Sequence, residues 1–124
     1  MHTMKLTCLA ALAATAILGS AHAQLNPYGG LAFEPELTSD DLRMVLLSGD
    51  AVNQIPSPTS GETRAWNNPQ SGNSGAVTLE SAFRTNDMSC HRLRYSITMS
   101  GQETPQTYFL TWCQTPTGDW KIKS

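Results

Sequence analysis

Between residues 76 and 113 the chain alternates apolar and polar side chains almost residue by residue, with only two short turn-forming stretches interrupting the pattern. Successive side chains of a strand point to opposite faces, so a period of two selects antiparallel strands with one buried face. The strands fall at residues 76–84, 89–99 and 106–113, with shorter ones at 63–66 and 120–123. Val77, Leu79 and Phe83 share one face of the first long strand. Leu93, Tyr95, Ile97 and Met99 share a face of the second, opposite Cys90, Arg92, Arg94, Ser96 and Thr98. In the third, Tyr108, Leu110 and Trp112 alternate with Thr107, Phe109, Thr111 and Cys113. One side of the sheet is therefore apolar. The other is largely polar, with Arg84 expected beside Arg92 and Arg94 and with Glu80 balancing their charge.

A one-sided sheet needs a cover, and the one amphipathic candidate is a helix at residues 39–47. Thr38 or Ser39 can cap it, Asp40 and Asp41 suit the positive end of its dipole, and Gly49 is placed to stop it. Leu42, Val45 and Leu46 form its buried face. Pro56 and Pro58 make residues 53–61 a connector, because each removes a backbone donor and disfavours helix at the residue before it. The expected architecture is a small two-layer α+β domain, one N-terminal helix on a four- to five-stranded antiparallel meander. Residues 67–75, rich in Asn, Gly and Ser, form a long loop between the first two strands and call for side-chain-to-backbone hydrogen bonds.

The beginning of the chain has a different purpose. Lys5, an apolar stretch at 6–18 and a small-residue run ending in Ala23 make up the three parts of a secretory signal, with cleavage expected before Gln24. A helix over the apolar stretch would be about 20 Å long, short of a hydrocarbon core of roughly 30 Å. Residues 1–23 are thus read as a signal peptide, 24–37 as an extended arm interrupted by Pro27, Gly29, Gly30 and Pro35, and 38–124 as the folded domain. Gln24 stands where a lipid anchor would need cysteine, so a periplasmic or secreted protein is expected. With 8 Lys and Arg against 10 Asp and Glu and no basic tract, nucleic acid is not the expected partner.

Cys90 and Cys113 survive processing, and in an oxidising compartment an even pair in a small domain reads as a disulfide. Strand registers make this specific. A loop at 100–103 with Met99 opposite Thr104 sets Cys90 against Cys113 at a narrow, non-hydrogen-bonded position and leaves Pro105 where no donor is needed. A three-residue turn, Thr85-Asn86-Asp87, sets Arg84 opposite Met88, Leu79 opposite Leu93, Val77 opposite Tyr95, and Glu80 beside Arg92.

An ordered set of features then suggests a family. Trp66, Asn67, Asn68, Pro69, Ser71 and Gly72 lead to a Gly75-Ala76-Val77 exit, followed by Cys90, Cys113 and a terminal Gly118-Asp119-Trp120. This segment resembles the rickettsial-type 17-kDa common surface antigens, outer-membrane proteins of Gram-negative bacteria. The resemblance implies an envelope protein without an assigned molecular activity. The lipid-attachment cysteine and the preceding glycine-rich apolar segment of that family are missing here.

Little in the chain points to catalysis. His91 is the histidine left after processing, and its strand parity turns it to the apolar face near Trp112, as a core-edge residue. The cysteines form no Cys-x-x-Cys motif, and the loop serines no nucleophile elbow. Glu62, Glu80, Asp87, Glu103 and Asp119 are dispersed, and no metal or cofactor is called for. The expected function is noncatalytic binding of a protein or envelope component through Arg92, Arg94 and Phe109, an aromatic on the polar face. Two alternatives are a secreted inhibitor that inserts loop 67–75 into a foreign hydrolase, and a domain with a small-ligand or enzymatic pocket between helix and sheet.

Overall fold

Thr38 starts the helix by a reciprocal cap: its hydroxyl accepts from the Asp41 backbone N–H at 3.1 Å, while the Asp41 carboxylate accepts from the Thr38 N–H at 2.9 Å. In the computed structural model, which describes residues 37–123, helix α1 spans Ser39–Asn53 and runs six residues past the expected end. Gly49 lies inside it. A Cβ there would sit 3.0 Å from the Tyr95 hydroxyl, so the glycine admits a sheet side chain to the helix backbone and does not terminate the helix. The buried stripe is Val45, Ser48, Gly49 and Val52, with Leu42 and Leu46 half-buried beside it.

Five strands follow: β1 Thr63–Asn67, β2 Ser74–Thr85, β3 Met88–Thr98, β4 Gln106–Gln114 and β5 Trp120–Ile122. They pair antiparallel in chain order as an open meander, with α1 packed on β1 and β2, so the two-layer α+β architecture is as expected. Val45 and Val52 of α1 meet Trp66, Val77, Leu79, Leu93, Tyr95, Ile97 and Leu110 in the core. The signal peptide and the extended arm lie outside the described residues, apart from Leu37, which packs against the core.

The β2–β3 hairpin reaches the expected core register by another route. Its turn holds two residues, not three: Thr85 faces Met88, and Asn86 and Asp87 both take positive φ (48° and 61°), the signature of a two-residue primed turn. A bulge between Leu79 and Ser81 inserts one residue into β2 and cancels the shift. Leu79 therefore faces Leu93, and Val77 faces Tyr95, as expected. Beyond the bulge every side chain of β2 changes sides. Phe83, expected in the core, stands opposite Cys90 on the outer face at 40% exposure, and Arg84, expected on the outer face, stands opposite Ser89 on the helix side.

Between β3 and β4 the expected register holds, with Cys90 directly opposite Cys113, their Cα atoms 4.1 Å apart and their sulfurs bonded. The hairpin loop is longer than 100–103. The ladder stops at Ile97–Gln106 because the Met99 carbonyl, which would pair with Thr104, accepts instead from the Gln102 N–H at 3.0 Å, while the Ser100 N–H donates to the Asn73 carboxamide at 2.8 Å. Gly101, at φ 79°, lets the chain turn back instead.

Candidate functional site

The outer face of the sheet carries the predicted partner residues. Arg92 and Arg94 alternate along β3, and Phe109 stands opposite Arg94 on β4 at 44% exposure. The Arg92 guanidinium lies over the Phe109 ring, 4.6 Å from its centroid, where a cation–π contact is worth about 0.5–1 kcal/mol. Glu80 pairs with Arg94 at 3.8 Å and not with Arg92 as expected, because the bulge displaces it. Both partners are nearly half exposed, so the pair contributes about 0–1 kcal/mol. No described element covers this face. Phe83 beside the disulfide and Phe109 beside Arg92 are its exposed aromatics.

The loop between β1 and β2 is narrower than expected, because Asn67 and Ser74 close the ladder and Gly75 lies within β2. It is organised around a residue that sequence reasoning assigned only to the helix dipole. Asp41, fully buried, accepts from Asn68 Nδ2 at 2.7 Å and Ser71 Oγ at 2.6 Å on one oxygen. Its other oxygen accepts from Asn73 Nδ2 at 2.7 Å and the Thr38 N–H at 2.9 Å. Burial pushes the carboxyl up, but the donors from Ser71, Asn73, Thr38 and Asn68 outweigh it and hold the group well below the usual carboxylate range.

The loop's polar residues are consequently structural, with Asn68 and Asn73 each 4% exposed and Pro69, Gln70 and Gly72 left at the surface. Trp66 is buried against Gly75, where a Cβ would fall 2.7 Å from the indole nitrogen and 2.2 Å from the Ser96 carbonyl. Gly72, at φ 77°, lies against Ser100. The signal that marks Asp41 in the sequence is the Thr38-x-x-Asp41 spacing of a capping box, which does not reveal the loop that docks on it.

A third region lies past the end of α1. The helix is about 22 Å long and β2 about 40 Å, so the helix-side face of the sheet is left uncovered at the β2–β3 turn end. The result is a cleft of about 800 Å³, floored by Ala82, Arg84, Ser89, His91, Gln114 and Trp120 and walled by Asn53, Gln54, Ile55, Ser57 and Pro58. His91 sits opposite Trp112 as its parity implies, 5% exposed, with its ring stacked on Trp120 at 4.3 Å. Its Nδ1 lies 2.9 Å from Asn53 Oδ1, a hydrogen bond that the Nδ1–H tautomer donates. Burial lowers the pKa of this imidazole. Asn53 is a further residue of the site that sequence reasoning did not single out, and Trp120 was noted there only as part of the family resemblance.

The carboxylates do not converge. Glu62 caps Thr59, Glu80 pairs with Arg94, and Asp119 bonds Thr117. Among the described residues no group of three His, Cys, Asp or Glu side chains is arranged to hold a metal, and no helix is long and apolar enough to cross a membrane.

A family model described as the 17 kDa outer membrane surface antigen matches residues 55–121. The matched span begins just after α1, so it holds Asn68, Ser71 and Asn73 but not Asp41. No curated protein and no solved structure matches the chain.

Proposed function

As the chain belongs to the 17 kDa outer membrane surface antigen family, we propose that it is a noncatalytic binding domain of the cell envelope, engaging another envelope or host component through the outer face of its sheet. The observation that carries this reading is that two exposed aromatics, Phe83 and Phe109, share with Arg92 and Arg94 a sheet face that no described element covers, Phe109 in contact with Arg92. Large aromatics and arginine are the side chains that most often anchor protein contacts. In this proposal the chain is exported, begins at Gln24 after cleavage, and acts in the periplasm, at the outer membrane or outside the cell.

The inhibitor reading draws less support from the geometry. A loop that enters a foreign cleft needs polar groups directed outward, whereas Asn68, Ser71 and Asn73 are all turned onto Asp41. The two readings separate by capture from envelope extract with the wild-type protein, with Phe109→Ala, and with a loop variant carrying Pro69→Ala and Gln70→Ala. Loss of the captured component with Phe109→Ala alone supports the sheet face. Loss with the loop variant alone overturns it in favour of the inhibitor.

A further inference from the structure

The cleft beyond the helix end has the lining of a sugar site. Its polar side chains are three carboxamides, Asn53, Gln54 and Gln114, the Ser57 and Ser89 hydroxyls, the His91 imidazole and the Arg84 guanidinium, beside the Trp120 indole. Carboxamides and hydroxyls each both donate and accept, which matches the dense, mixed hydrogen-bonding edge of a pyranose, and the indole offers an apolar surface for its C–H face. The volume, about 800 Å³, is within the roughly 300–1,000 Å³ of small-molecule sites.

Charge narrows the class. No carboxylate lines the cleft, and Arg84 supplies the cation there. Arg84 is already oriented, donating to the Ser89 hydroxyl at 3.1 Å and to the Asp87 carbonyl at 2.9 Å. A guanidinium has five N–H donors, so its fork retains capacity for a ligand carboxylate. Asn53 is oriented in the same way: His91 holds its Oδ1, which turns the Nδ2 donors aside for other partners. We propose that this cleft binds a carboxylate-bearing sugar of an envelope glycan, with Arg84 pairing the carboxylate, the carboxamides bonding the ring substituents and Trp120 flanking the ring. The site opens on the helix side of the sheet, away from Phe109; its lining also reaches Phe83 and Cys90, so Arg84 and Trp120, which the partner surface does not use, are the residues that test it separately.

The test is NMR titration of the exported, disulfide-bonded protein labelled with 15N. The probes are the N-acetylglucosamine–N-acetylmuramic acid disaccharide, 3-deoxy-manno-octulosonic acid and neutral chitobiose. At least one acidic probe should produce saturable shifts at the Trp120 indole and at the Asn53 and Gln114 side-chain amides, with chitobiose binding roughly tenfold more weakly or not at all. Which acidic probe binds assigns the source as cell-wall or lipopolysaccharide-type sugar. Arg84→Gln, confirmed folded by its spectrum, should weaken the acidic probe roughly tenfold and erase the preference over chitobiose, while Arg94→Ala on the other face changes nothing. Absence of saturable shifts with both acidic probes, equal binding of chitobiose, or full retention by folded Arg84→Gln would each overturn the proposal.

Discussion

Replacing Asp41 by asparagine isolates the interaction that fixes the loop to the helix. The wild-type carboxylate takes four donors, two on each oxygen, with the side chain fully buried. Asparagine keeps the shape but turns one oxygen into an NH2 group, which faces two donors instead of accepting from them. Each buried donor left without a partner costs about 1–3 kcal/mol, so with two of them the variant should lose about 2–6 kcal/mol at neutral pH. That is a large part of the roughly 5–15 kcal/mol that holds an ordinary domain together, and it should lower Tm by about 10–30 °C.

The pH dependence separates a charge effect from a packing effect. The carboxyl of Asp41 is held below its ordinary value in the folded chain, so as pH falls through about 4 the unfolded chain takes up the proton first. The stabilisation is thus fully present above the ordinary carboxyl value and declines below it, by about 1.5 kcal/mol between pH 4 and 2.5. Chemical denaturation followed by circular dichroism at pH 7, 4 and 2.5 reads both quantities. The gap between wild type and Asp41→Asn should be widest at pH 7 and narrow at pH 2.5. A gap below about 1 kcal/mol at pH 7, or one that does not change with pH, would refute the assignment of Asp41 as the ionised anchor of the loop.

Three further outcomes follow from the same structure. Thiol titration of the denatured, unreduced protein should find neither Cys90 nor Cys113 reactive, and reduction should cost roughly 3 kcal/mol for a closure of 23 residues, read as a lower denaturation midpoint. Because burial keeps His91 neutral when folded, stability should fall as pH drops below about 6.5, where the unfolded imidazole takes up a proton; His91→Gln should flatten that part of a pH–stability profile. Gly75→Ala places a Cβ against the Ser96 carbonyl and Trp66, so thermal melting should show a loss of about 1–3 kcal/mol, whereas Gly61→Ala, in open space but at positive φ, should cost less.

The strand pattern was legible because burial on one face writes itself as alternation: Leu93, Tyr95 and Ile97 on β3, and Leu110 and Trp112 on β4, keep that pattern without interruption. The disulfide was legible for a related reason, since the proline at 105 and the two cysteines restrict the register together. The bulge at Glu80 was not. It inserts one residue while the Asn86-Asp87 turn removes one, so the pairing of Leu79 with Leu93 is the same with or without the two changes, and only the sides taken by Phe83 and Arg84 reveal them. The helix end was misplaced because Gly49 looks like a stop until Tyr95 is seen packed on it. The Asp41 anchor and the His91–Asn53 bond join residues 27 to 38 positions apart, and such contacts between polar groups leave no periodic trace in a single sequence.

The central claim, that the outer sheet face is the binding surface, is tested most directly by photo-crosslinking in living cells. A photoreactive phenylalanine analogue would be placed at Phe109, at Phe83 and, as a control on the helix, at Leu47, which is 61% exposed. The account predicts that Phe109 and Phe83 yield the same discrete adduct, that Leu47 does not, and that Arg92→Ala diminishes the adduct from Phe83. No adduct from either phenylalanine position, or an identical adduct from Leu47, would contradict it.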